Sequence, residues 1–296
     1  MNTSGEKRIS ALWPCFLVLL QGLLYGFGDP ISKKAYEEVS LYALLSVRYA
    51  IALAVLFLFA GRRILRGLRN CCVRDWLPAS LCIAGAYVVG NIGLGLTAAT
   101  SVAFLRSMST VLTPLLAFAV LRRKLGLRHV PVLLLSLVGM YLLCGKGGLA
   151  QFGLGEVCAL LCALLLAGSL VFGEKALDRV EPLTLTAVQV AASTVLAAVF
   201  ALIFDGGFHL EEASPATWAI IVYLAILCTL AGYLLQNKAL CSVSSRTVTL
   251  LQCFCPVMTA MFSFLLLGER LSPAGVAGAV ILLGCVAAET WMKEET

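Results

Sequence analysis

The segment Leu41–Ala60, LYALLSVRYAIALAVLFLFA, runs for twenty residues with one charged side chain, Arg48. Wound as a helix at about 1.5 Å per residue, it reaches roughly 30 Å, the thickness of a bilayer's hydrocarbon core. Its apolar residues are continuous, whereas a barrel strand would alternate apolar with polar. The segment therefore reads as a membrane helix. Similar runs fall at Leu12–Gly28, Leu77–Leu96, Ser101–Leu121, Val130–Cys144, Glu156–Phe172, Leu183–Phe204, Trp218–Gln236, Ser245–Leu267 and Ala274–Trp291, ten in all.

Composition agrees. Of 296 residues, 60% are apolar and 13% charged, and the mean hydropathy is +0.96. Soluble domains carry roughly 25% charged residues. A soluble enzyme, a disordered chain and a nucleic-acid-binding module are excluded. The longest polar stretches, Gly61–Trp76 and Asp205–Pro215, are too short to hold a domain. Any function is expected inside the helical bundle. Asp29-Pro30, Glu181-Pro182, Ser214-Pro215 and Ser272-Pro273 each mark a turn or a helix start. Lys7-Arg8 precedes the first apolar run as in a signal peptide, but no small-x-small cleavage site follows. That helix is expected to be retained.

Twelve cysteines include no C-x-x-C pair, and His129 and His209 are the two histidines. The cysteines read as small apolar fillers, with no metal site, disulfide framework or cofactor expected.

Lys and Arg accumulate in cytoplasmic loops. With the N-terminus inside, fifteen of the 22 basic residues lie on the cytoplasmic side, in clusters such as Arg62, Arg63, Arg66, Arg69 and Arg74. Four, Lys33, Lys34, Lys146 and Arg270, lie outside, and Arg48, Arg106 and Arg246 fall in spans or at their ends. This imbalance predicts cytoplasmic termini and accounts for the net charge of +6 without an acidic partner.

The two halves also resemble each other. A shift of 141 carries Lys34-Ala35 onto Lys175-Ala176, a shift of 142 carries Pro114 onto Pro256, and Gly139 pairs with Gly284 after a small gap. The reading is an all-α membrane protein whose ten transmembrane helices form two five-helix repeats, 1–148 and 149–296. Because five is odd, the repeats are inverted, the architecture of many secondary transporters, with the solute near the midplane between them.

The stretch Gly232–Leu240 (GYLLQNKAL), with Ser244-Ser245, Pro256 and Leu267–Ser272 (LGERLS), resembles the EamA-type drug/metabolite transporter family. Leu24-Tyr25-Gly26 is similar to that family's aromatic–Gly pair late in helix 1, and Ser46–Tyr49 to its Arg–aromatic pair in helix 2. The run from Glu156 to Lys175-Ala176 looks like the opening of its second unit. The likeness covers about residues 12–290. The first-half counterpart of Gly-Glu-Arg-Leu, Arg122-Arg123-Lys124-Leu125, departs by losing the acid. The resemblance implies a secondary transporter working by alternating access in the plasma (inner) membrane. Its solutes would be small metabolites such as amino acids or organic anions, exported or exchanged. The alternative is a multidrug or cationic-compound exporter of the same superfamily. A small solute and the lipid bilayer are the expected partners, with the chain a monomer or homodimer. No nucleotide-binding loop is present. An intramembrane lipid enzyme would need a nucleophile, paired acids or a metal cluster at depth, and the spans offer none.

Charged residues at membrane depth are costly and mark function by default. Arg48 lies about seven residues into helix 2, Arg106 about five into helix 4, and Arg246 at the inner start of helix 9. The repeat brings Arg106 and Arg246 to near-equivalent turns and places Gln189 where Arg48 stands. Each arginine has two readings, a snorkelling anchor or a partner for a carboxylate or phosphate. All sixteen acids lie in loops or at helix ends, with Asp29, Glu156 and Glu289 nearest the membrane edge. Gln21 stands mid-helix 1, where small-cation exporters of the superfamily are expected to carry a glutamate. An uncharged, anionic or zwitterionic solute is thereby favoured over a cation. The candidate solute-binding residues are Tyr25, Arg48, Asn91, Arg106, Gln189, Tyr233, Asn237 and Gln252. Gly22-x-x-x-Gly26 and Gly90, Gly93 and Gly95 are expected to permit close helix approach. Pro114 and Pro256 are expected to kink helices 4 and 9.

Overall fold

The structure is a computed structural model that describes residues 3–96, 102, 105–122, 130–144, 153–208, 210, 213–267 and 272–294. Among these residues every regular element is helical. In chain order they are α1 (Thr3–Ala35), α2 (Leu41–Arg69), α3 (Val73–Leu96), α4 (Ser109–Leu121), α5 (Val130–Cys144) and α6 (Leu154–Ala176). Then come α7 (Pro182–Asp205), α8 (Pro215–Leu240), α9 (Ser245–Gln252 and Phe254–Leu267) and α10 (Pro273–Glu294). Seven of them, α1, α2, α3, α6, α7, α8 and α9, are long and apolar enough to cross a membrane. The apolar parts of α4, α5 and α10 (Ser109–Leu121, Val130–Leu142 and Pro273–Ala288) are shorter.

Three expectations need correction. First, α1 does not stop at Gly28 but continues through Asp29-Pro30 to Ala35. Proline removes one backbone donor and crowds the carbonyl four residues earlier, yet packing can hold the helix together across it. Ser32 Oγ donates to the Gly28 carbonyl at 2.7 Å within this stretch. Second, α2 runs past Ala60 to Arg69, so much of the supposed loop Gly61–Trp76 is helix. Arginine is a good helix former, and Arg66 and Arg69 oppose the negative end of the helix dipole. Ile64, fully buried, packs with Leu56 and Ala187 on the opposite face. Third, Arg106 is not inside a continuous fourth helix. It ends a helical stretch that turns at Ser107–Met108 before α4 begins.

The proline signals at helix starts fare better. Glu181 and Ser214 are N-caps with proline at the first helical turn, and α10 starts at Pro273. In α9 the helix breaks at Cys253, three residues before Pro256. Proline at that position cannot bond the carbonyl of Gln252, which accounts for the break. α9 meets α4 close to this point. Thr249 and Thr113 hydroxyl oxygens lie 3.1 Å apart, and Thr110 Oγ1 lies 3.7 Å from Cys253 Sγ.

The helices pack in matched pairs. α3 lies on α6 as α8 lies on α1, and α4 on α6 as α9 on α1. α2 packs on α7 and α5 on α10. A Cβ at Gly139 would meet Ile281 and the Gly278 carbonyl, whereas Gly284 faces open space. The two glycines therefore do not play the same part. Large apolar side chains cover the outside: Leu58, Phe59, Ile203, Phe204, Leu265 and Trp291 are all well exposed. In water such a belt would be an aggregation surface; in lipid it is the expected exterior.

Each end of the bundle carries a polar latch. At one end, Glu38 in the α1–α2 turn accepts the Ser214 N–H at 2.8 Å and the Ser214 hydroxyl at 3.0 Å, while the Ser40 hydroxyl bonds Asp205. At the other end, Arg179 in the α6–α7 turn bonds Asp75 at 3.3 Å, and Arg63 bonds Glu181 at 3.2 Å. A shift of 141 carries Glu38 onto Arg179 and Ser40 onto Glu181.

The Ser214 backbone N–H, with the Thr217 and Ser214 hydroxyls, holds the Glu38 carboxyl below the usual carboxylate range. A depressed folded-state pKa adds stability above the ordinary carboxylate value and loses it as pH falls through the folded-state value. Amide protection in the first turn of α8, corrected for intrinsic exchange, is expected to fall with acid across that window. In Glu38→Gln it should be lower and flat with pH. An equal acid response in both proteins would show that Glu38 does not hold this turn.

Candidate functional site

Arg48 lies on the inner face of α2 and is 8% exposed. Its Nε donates to Thr229 Oγ1 of α8 at 2.6 Å, and its guanidinium carbon stands 5.6 Å from the Tyr49 ring centroid. The backbone presenting Thr229 is the π-helical stretch Leu224–Ala231, a departure from α geometry that often marks functional positions. Alongside, the tyrosines assemble. Tyr87 of α3 stacks on Tyr233 of α8 at 5.9 Å and meets Tyr49 edge-on at 6.2 Å. The Tyr49 and Tyr233 hydroxyls are 3.3 Å apart. Tyr25 of α1 packs against Gly232, where a Cβ would come within 2.5 Å of its ring. Its hydroxyl faces Tyr87 and Gln21 without closing a hydrogen bond among the described residues.

Arg106 enters from the turn before α4. It lies close enough to Cys162 of α6, Asp29, Tyr87 and Cys255 to act on them electrostatically. Gly90 of α3 leaves room here, since a Cβ would stand 2.8 Å from Cys162 Sγ. Asn91 donates to the Tyr87 carbonyl at 2.6 Å and accepts from the Tyr36 hydroxyl at 3.5 Å. Tyr36 sits just beyond α1, close enough to feel Arg48, Asp29 and Arg106. Burial pushes its phenol up to about 12, with Arg48 and Arg106 pulling the other way. Tyr36, Tyr87, Asn91 and Arg106 keep part of their surfaces open despite this dense surround. Two guanidiniums and one carboxylate thus meet a wall of tyrosines, whose faces attract cations and whose hydroxyls both donate and accept.

Beneath Tyr25 a second layer is neutral. Gln21 of α1 donates to Gln236 of α8 at 3.1 Å, and Gln252 of α9 donates to Gln236 at 3.0 Å and Gln21 at 3.2 Å. Gln252 has its place here, at the α9 break. Gln189 and Asn237 form a separate, fully buried pair between α7 and α8. Asn237 Nδ2 donates to Gln189 Oε1 at 2.8 Å and Thr186 Oγ1 at 2.9 Å. Gln189 Nε2 and Asn237 Oδ1 have no partner among the described residues.

Of the candidates, Tyr25, Arg48, Asn91, Arg106 and Tyr233 converge, with Gln252 in the layer below, while Gln189 and Asn237 stand apart. Sequence reasoning missed Tyr36, Tyr49, Tyr87, Thr229 and Asp29. An Arg–Tyr dipeptide in a span was a usable signal for Tyr49; Tyr87 and Thr229 carry none. Among the described residues no group of three His, Cys, Asp or Glu could hold a metal. The LGERLS segment and Arg123–Leu125 fall largely or wholly outside the described residues, as do the loop residues Lys146 and His129.

Apolar helices with a lipid-facing exterior and a charged interior define a multi-pass membrane protein. The chain belongs to the EamA-like transporter family, whose family model matches residues 12–145 and again residues 153–288. It is a membrane transporter and not an enzyme. One relative, an uncharacterized transporter of Archaeoglobus fulgidus, is 25% identical over 94% of this chain and 86% of its own. Another, an S-adenosylmethionine/S-adenosylhomocysteine transporter of Chlamydia trachomatis, is 27% identical over 94% of this chain and 91% of its own. A solved crystal structure shares the fold with a TM-score of 0.80 at 18% identity, covering 95% of this chain and 98% of that one.

Proposed function

We propose that the protein is a secondary transporter of small anionic or zwitterionic metabolites, amino acids or organic anions, across the plasma membrane. The observation that carries this reading is the meeting of Arg48 and Arg106 on one tyrosine wall between helices of both halves. Arginine matches a carboxylate through two parallel hydrogen bonds. The Chlamydia relative, named for a solute that bears an amino-acid head group, supports the same chemistry.

The chain is organised as two inverted repeats of five transmembrane helices, 1–148 and 149–296, with both termini cytoplasmic. Support comes from the family model's match to each half and from helix pairs that exchange when five is added to each helix number. In this arrangement the arginine site opens alternately to either face as the repeats rock. A cysteine replacing Phe208 is then expected to react with an impermeant maleimide from outside. The exposed native Cys72 and Cys241 should react only after permeabilisation. The opposite pattern would invert the topology.

Five tyrosines together favour a second reading, a cationic-drug exporter, because tyrosine faces attract ammonium groups. A thermal-shift screen of the purified protein separates the two, since a ligand of the folded state raises its melting temperature. Amino acids or organic anions should raise it, and the effect should vanish in Arg48→Gln or Arg106→Gln. A shift confined to cationic drugs would move the assignment to the exporter.

A further inference from the structure

Building on the transporter reading above, we propose that Asp29 is a specificity-determining residue of the solute site. It takes the ammonium of an α-amino acid whose carboxylate is held by Arg106.

The course of α1 sets the position of this carboxylate. Because the helix continues through Asp29-Pro30, Asp29 is not a loop acid at the membrane edge but a side chain on the helix that carries Tyr25. Its Oδ2 accepts the Thr259 hydroxyl of α9 at 3.0 Å, which fixes the carboxylate at the α1–α9 seam. From there it acts on Arg106, Tyr36, Tyr87 and Cys228, the same groups that surround the arginines. It also keeps an exposed surface. Other acids are engaged elsewhere: Glu38 and Asp205 in one end latch, Asp75 and Glu181 in the other, and Glu156 on the Gly153 N–H.

Charge decides the solute class. Arg48 and Arg106 supply two positive charges and Asp29 one negative. A dianion would gain both guanidiniums and meet repulsion from Asp29. A simple amine would find Asp29 and meet repulsion from both arginines. A zwitterion satisfies both signs at once, with its carboxylate on the planar guanidinium fork and its ammonium on the carboxylate. Juxtaposing like charges, or leaving a site's charge unmatched, is what separates the three classes.

The test uses the full-length purified protein and three probes sharing one ring: L-phenylalanine, 3-phenylpropionate and phenethylamine. Native protein should bind the zwitterion at least tenfold more tightly than the anion or the amine. Asp29→Asn can still accept the Thr259 hydrogen bond and is expected to fold. It should lose the zwitterion's advantage while holding or improving 3-phenylpropionate binding. Asp29→Glu should restore much of the preference, and Arg106→Gln should weaken both carboxylates. An unchanged zwitterion-to-anion ratio in monodisperse Asp29→Asn overturns the role of Asp29. Native protein that prefers 3-phenylpropionate also overturns it, yet leaves the arginine-based transporter reading intact. Preference for phenethylamine overturns both.

Discussion

Gly26→Ala is expected to cost more folded protein than any other single-methyl addition in α1. The new Cβ would collide with Met258 Cβ and lie 2.9 Å from both the Met258 carbonyl carbon and the Thr259 nitrogen. Two of those three atoms are backbone, so no rotamer change relieves the clash. α1 and α9 must separate. Overpacking of a tight contact costs about 1–3 kcal/mol, against which alanine's better helix propensity returns roughly 1 kcal/mol. The damage would spread, because the same seam positions Gln21 against Gln252 and Asp29 against Thr259. A clear drop in monodisperse yield and melting temperature should follow. Gly284→Ala is the control: its Cβ meets nothing within 4 Å, so propensity alone predicts neutrality or a small gain. Equal melting curves for the two variants would remove the close-approach argument.

Arg106→Gln is expected to weaken anionic solutes about tenfold to a hundredfold, the loss of one charge-assisted hydrogen bond of roughly 1.5–3 kcal/mol. Folding should survive, since Arg106 is partly exposed and ends its helical stretch just before the turn at Ser107–Met108. Arg106→Lys keeps the charge but not the planar fork and should recover only part of the affinity. Direct titration of the best hit from the ligand screen reads the effect. Unchanged affinity in Arg106→Gln would make this arginine a structural anchor.

The helix cores were legible because a long apolar run has few other uses, and every span located by sequence overlaps a helix. The ends were not. Charges at Arg62–Arg69 read as loop, although their spacing leaves Ile64 and Gly67 on a buried face against Ala187 and Thr184. Asp29-Pro30 read as a stop, because proline's cost is local and the packing that overrides it is tertiary. For the site, membrane-depth charge pointed to Arg48 and Arg106, and that logic depends only on solvation. The partners were hidden because Thr229, Tyr87 and Tyr36 are ordinary polar residues whose importance lies in where α3, α8 and the α1–α2 turn meet α2. The π-helical course of α8 has no residue signature at all, its sequence being LAILCTLA. Asn237 and Gln189 show the converse: conspicuous polar residues in spans that bond each other, away from the arginines.

The end latches occupy corresponding places but are made of different chemistry. One uses carboxylates against hydroxyls and a backbone N–H; the other uses two guanidinium–carboxylate pairs. Ion pairs at an exposed end weaken with added salt, whereas neutral donors to a carboxylate respond less. On the inverted-repeat reading proposed above, the two faces therefore need not share the resting population evenly. Each difference of about 1.4 kcal/mol between the latches tilts that population tenfold. On that reading, ionic strength on one side and acidity on the other are separate handles on the same equilibrium, and a net direction of movement arises from the rims alone.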